Sequence, residues 1–144
     1  MMQKRMKKEL SLLLLLTLLA VAALTLAGCR KESPYKPGTT AEGGEVGEGA
    51  KSFALTVTGP DGKEYPFTVH TDEETVGAAL QKIGLLEGED GPYGLYIKVV
   101  NGIVADFDAD GTYWAFYVNG EYAMTGVDMT TIEEGARYAL KVEK

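Results

Sequence analysis

Where the folded part of the chain begins, apolar and polar residues alternate. Phe53, Leu55 and Val57 are separated by Ala54 and Thr56, and Tyr65, Phe67 and Val69 by Pro66 and Thr68. Successive side chains of a strand point to opposite faces, so a period of two predicts two strands that each bury one face. Gly59-Pro60-Asp61-Gly62 between them is a turn sequence, because proline presets the first central torsion and glycine accepts a left-handed one. The period then lengthens: Val76, Ala79, Leu80 and Ile83 recur at helical spacing. Ahead of them, Thr71-Asp72-Glu73-Glu74 has the hydroxyl-to-glutamate spacing of a capping box, with acidic groups at the positive end of the helix dipole. Gly84 ends the run as a C-terminal glycine does. A hairpin followed by one amphipathic helix of about three turns is predicted.

A Gly-rich acidic loop, residues 87–94, leads to a second group of strands at 95–100, 103–107, 112–119 and 137–142. Asn101-Gly102 and Asn119-Gly120 are turn signals, since both central positions of a type I′ turn need positive φ. Strand, strand, helix and then further strands is the order of a β-grasp domain. The expected fold is α+β and β-grasp-like, a mixed sheet of about five strands carrying one packed helix.

Upstream the pattern is different. Lys4, Arg5, Lys7 and Lys8 precede an apolar run from Leu10 to Leu26, which Ala27, Gly28 and the single cysteine of the chain, Cys29, close. Basic, apolar and small-residue regions in that order form a secretory signal segment, and Leu26-Ala27-Gly28-Cys29 resembles a bacterial lipobox. Cys29 is thus the expected lipidation site, with residues 1–28 removed as a signal peptide; an uncleaved membrane anchor, short for a span at about 17 residues, and an ordinary signal peptide in which Cys29 is incidental are the competing readings. Residues 29–50, rich in Gly, Glu, Pro and Thr, are expected to be a flexible linker, and 51–144 the folded domain. This places the domain on the extracytoplasmic face of a membrane, with membrane lipid as its first partner.

Cleavage changes the charge. Four of the fourteen basic residues and one of the twenty-one acidic residues lie before Cys29, so the mature chain holds ten against twenty, net −10. Such a surface repels nucleic acid and anionic headgroups. A lone cysteine also leaves no disulfide framework, so the core must hold the fold.

Three segments carry a family resemblance: Thr75 to Gly84 in the helix, Tyr113-Trp114-Ala115-Phe116-Tyr117-Val118-Asn119-Gly120 in the long strand, and Ile132 to Tyr138 before the last strand. They resemble the bacterial transcobalamin-like C-terminal domain family (domain of unknown function 4430), which is similar to the C-terminal domain of transcobalamin and intrinsic factor. The resemblance covers residues 51–144 and implies a soluble-ligand-binding β-grasp. By that resemblance the ligand is small, planar and corrinoid- or cobalamin-like, and a surface protein or transporter is a partner. Transcobalamin-type proteins clamp cobalamin against a helical domain, for which residues 51–144 contain no counterpart.

The strand Tyr113 to Asn119 is apolar on both faces: Trp114, Phe116 and Val118 project one way and Tyr113, Ala115 and Tyr117 the other. Tyr96 and Lys98 are expected to neighbour Tyr113 and Tyr117, with Tyr93 and Tyr122 in adjoining loops. Tyrosine offers broad contact with a polar tip and suits stacking on a flat ring. Tyr93, Tyr96, Trp114, Tyr117 and Tyr122 are therefore the candidate ligand contacts; cross-strand pairing that stiffens an exposed sheet is the other reading of the same tyrosines.

Asp106-Phe107-Asp108-Ala109-Asp110-Gly111 begins like a calcium loop, but its twelfth position is Tyr117, which has no bidentate carboxylate, so an acidic turn is the better account and no metal is expected. His70, the only histidine, falls at a strand end with no evident partner. No nucleophile, base and orienting group can be assembled, so no catalytic residue, cofactor or enzyme activity is expected. A binding module for a small ligand and an adhesive or structural surface domain remain as the two readings.

Overall fold

The computed structural model describes residues 35–144. The expected signal segment and Cys29 lie outside the described residues. The main sheet is mixed and six-stranded, in the order β1-β3-β2-β9-β7-β8. Its strands are β1 (Gly44–Gly47), β2 (Lys51–Thr58), β3 (Glu64–Thr71), β7 (Tyr113–Val118), β8 (Glu121–Tyr122) and β9 (Arg137–Glu143). β4 (Leu86–Gly91), β5 (Gly94–Val100) and β6 (Ile103–Val104) form a separate antiparallel sheet. One helix of two turns, α1 (Val76–Lys82), packs on the main sheet, and a single turn, α2 (Phe107–Asp110), precedes β7.

The alternation read from the sequence becomes the core. Phe53, Leu55 and Val57 of β2 and Tyr65, Phe67 and Val69 of β3 are buried, and they meet Val76, Ala79 and Leu80 of α1. β9 lies parallel to β2 and antiparallel to β7, which brings Tyr138 and Leu140 beneath Phe53 and Phe116. Tyr138 meets Phe53 edge-on at 5.3 Å between centroids, an arrangement the aromatic quadrupoles favour. Asn101 and Asn119 both have φ 51, and the following glycines are also positive, as type I′ turns require.

Several local expectations are corrected. The helix cap is Thr75, whose hydroxyl accepts from the Ala78 amide, and not Thr71, whose hydroxyl accepts from Glu73 N. Thr75 bridges to Thr131, so backbone pairing delays the helix start and leaves seven residues instead of three turns. The acidic segment expected to be a loop is mostly β4, paired along β5 with a bulge at Glu87/Gly88. Ladder hydrogen bonds use only backbone, so a strand can form there without an alternating pattern. The strand expected over 103–107 ends at Val104, because Asp106 caps α2 through the amides of Asp108 and Ala109. The second group of strands therefore divides between two sheets.

The stretch expected to be a flexible linker also contributes structure. β1 pairs parallel with β3 from Gly44↔Phe67 to Gly47↔His70, and Val46 is buried. Its glycines have a steric role: a Cβ at Gly43, Gly47 or Gly49 would overlap the backbone of Pro66, His70 or Thr71. Further back, Asn101, fully buried, accepts from Ala41 N and donates to Ala41 O, both at 2.9 Å. A composition that reads as a spacer here permits close backbone contact.

Candidate functional site

β5, β7 and the loop after β8 line an open pocket of about 400 Å³. Alternation along β7 turns Trp114 and Phe116 toward it, while β5 supplies Leu95, Tyr96 and Ile97. Residues 122–127 close the remaining side, from Tyr122 through Met124 to Val127. Trp114 is 6% exposed, and its indole Nε1 donates to the Lys98 carbonyl at 3.3 Å, which fixes the ring between core and cavity.

The loop wall is braced from below. Val127–Met129 is a 3-10 turn, and the Asp128 carboxylate accepts from Leu95 N at 3.3 Å, tying that turn to β5. Thr130 donates to the Gly126 carbonyl at 2.8 Å. α1 presses on the same turn through Gly77, where a Cβ would lie 2.8 Å from Asp128 N. The cavity wall is thus held in place by the helix, the turn and β5 together.

Three of the five tyrosine and tryptophan candidates come together: Tyr96, Trp114 and Tyr122 line the cavity. Tyr93 does not; it stands at the tip of the β4–β5 hairpin, 99% exposed. Tyr117 points to the side of β7 opposite Trp114, packs edge-on against Tyr122 at 5.6 Å, and donates to Glu143 Oε1 at 2.5 Å. That hydrogen bond to Glu143, followed by desolvation, pushes the Tyr117 hydroxyl up to about 12. Sequence reasoning missed Leu95, Ile97, Phe116 and the 123–127 loop. No local sequence pattern marks that loop, because its place is set by contacts with residues distant in the chain, such as Asp128 with Leu95.

The remaining singled-out groups stand apart. His70 Nε2 lies 3.7 Å from Glu45 on the neighbouring β1. Asp110 accepts from the hydroxyl and, second, the amide of Thr112, which lowers its carboxyl below the usual value. Among the described residues no three His, Cys, Asp or Glu side chains are grouped to hold a metal ion.

A mixed sheet bearing one packed helix, with an aromatic-lined cavity where a second small sheet meets β7, defines a small α+β domain of β-grasp-like type. The chain belongs to the family described as Domain of unknown function (DUF4430), whose pattern matches residues 73–144. Among solved structures it is similar to a provisionally assigned metal binding protein from Ruminococcus gnavus ATCC 29149. That match has 32% identity and a TM-score of 0.62, and covers 66% of this chain and 98% of the other. It shares its fold with haptocorrin in complex with Cbi, at 20% identity and a TM-score of 0.55 over 65% of this chain. The match spans 25% of haptocorrin's length. No curated protein sequence matches.

Proposed function

We propose that this protein is a lipid-anchored binding module on the extracytoplasmic face, and that its cavity receives the edge of a small planar ligand of the corrinoid class without transforming it. The observation that carries the reading is the cavity itself: Trp114 and Phe116 form an apolar floor, Tyr96 and Tyr122 stand at its rim, and a braced loop closes one side. Pockets that bind small organic ligands combine apolar walls with a few polar groups. The phenol rims supply broad contact together with a hydroxyl. The fold shared with haptocorrin, crystallised with Cbi, supports a corrinoid over other flat rings.

A cavity of about 400 Å³ takes only part of a macrocycle. A second wall, from a surface protein or transporter, would cover the rest, so affinity in isolation is expected to be modest. Full-length protein in nonionic detergent is titrated with cobalamin while the visible spectrum and the emission of Trp114, the only tryptophan, are followed. Saturable quenching that Tyr96→Ala weakens severalfold is expected. An unchanged spectrum and emission up to about 1 mM ligand, a range that covers even weak binding, would refute the corrinoid reading.

A further inference from the structure

A second, open cavity of about 650 Å³ lies beside the first, and Tyr96 and Tyr113 line both. Its aromatic wall is drawn from three elements: Tyr96 on β5, Phe107 on α2 and Tyr113 at the start of β7. Its polar lining is Glu89, Asp106 and Asp108 with a single cation, Lys98. Lys98 Nζ is 3.0 Å from Glu89 Oε1, so those two charges answer each other and the two aspartates leave the lining at net −2.

α2 has a form that core packing does not explain. None of its four residues is buried, and Phe107 is 60% exposed. Yet the turn is secured at both ends, by Asp106 Oδ1 accepting from Asp108 N at 3.0 Å and by Gly111 at φ 73. Burial normally stabilises an element with an apolar residue; here the ordered turn holds a phenyl ring at the wall of a cavity.

We propose that this second cavity is a subsite for a compact organic cation, an alkylammonium group. Aromatic faces attract cations through their quadrupole, and the attraction strengthens as the cation is desolvated. Asp106 and Asp108 supply the opposite charge. An anion would be repelled by the same carboxylates, and a neutral apolar ligand would strip water from them without replacing it. A free amine and a lysine side chain offer the same chemistry, and the probes distinguish them. The subsite does not rest on the corrinoid reading, although Tyr96 and Tyr113 border both cavities.

The test is NMR titration of the full-length protein in nonionic detergent at constant ionic strength, following the amides of Lys98, Phe107 and Asp108. The probes are choline, its neutral isostere 3,3-dimethylbutanol, and Nα-acetyl-lysine methylamide. At least one ammonium probe is expected to bind about tenfold more tightly than the isostere, and the stronger of the two names the source. Phe107→Ala and Asp108→Asn should each weaken that binding about threefold or more while the amides of Leu55 and Leu140 stay in place, since no α2 residue is buried in the core. Equal affinity for the isostere, or no saturable shift with either ammonium probe, would overturn the proposal. Cobalamin quenching of Trp114 is read separately, so either site can fail alone.

Discussion

At the scale of single residues, Tyr117 shows how a side chain that looks available for a ligand is already engaged. Its hydroxyl donates to Glu143 Oε1, and Tyr113 donates to Oε2 of the same carboxylate at 3.5 Å. The carboxylate stabilises the neutral phenol and opposes a second negative charge beside it, which raises Tyr117 to about 12. The folded state therefore keeps a proton that the unfolded chain loses at its ordinary value of about 10. The stability this gives is fully present below pH 10 and is lost as pH rises through about 12. In a spectrophotometric titration of the eight tyrosines, the last-ionising fraction should disappear in Tyr117→Phe and move back toward pH 10 in Glu143→Gln. A profile unchanged in both variants would show that the pair is not formed in solution.

At the scale of elements, the contact between α1 and the 3-10 turn controls the cavity wall. In Gly77→Ala the new methyl would meet Asp128 N at 2.8 Å and Asp128 Cα at 2.9 Å, and both are backbone atoms that cannot swing aside. Overpacking of this kind costs about 1–3 kcal/mol, and the better helix propensity of alanine returns up to about 1. A net loss of up to about 2 kcal/mol is expected in urea unfolding, together with weaker cobalamin quenching because the turn carries the loop. The same contact explains what the sequence could reveal. The period-two hairpin, the helical run from Val76 and the two Asn-Gly turns were legible, because each is specified by neighbours a few residues apart. β4 and β1 were not: both are acidic or glycine-rich and are made by backbone pairing with β5 and β3. The cavity was half legible for the same reason. Tyr96, Trp114 and Tyr122 declare themselves as aromatics, whereas the 123–127 wall is positioned by contacts made across the fold, Asp128 to Leu95 among them.

At the scale of the whole molecule, charge and the proposed anchor would act against each other, and that opposition makes the anchor testable. Cleaved before Cys29, the chain would carry ten basic and twenty acidic residues, net −10, and would be pushed away from anionic headgroups. Among the described residues no helix is long and apolar enough to cross a membrane. On the proposed reading, retention at the surface would depend on acyl chains at Cys29, each buried methylene contributing about 0.8 kcal/mol, an attraction that salt does not screen. Membrane association should therefore survive washing at high salt. Intact-mass measurement should give a chain beginning at Cys29 with a diacylglyceryl addition, and Cys29→Ser should abolish that mass. Release by salt alone, or an unmodified chain from Met1 in the cell interior, would remove the anchor from the account and leave the cavity to be explained as that of a free domain.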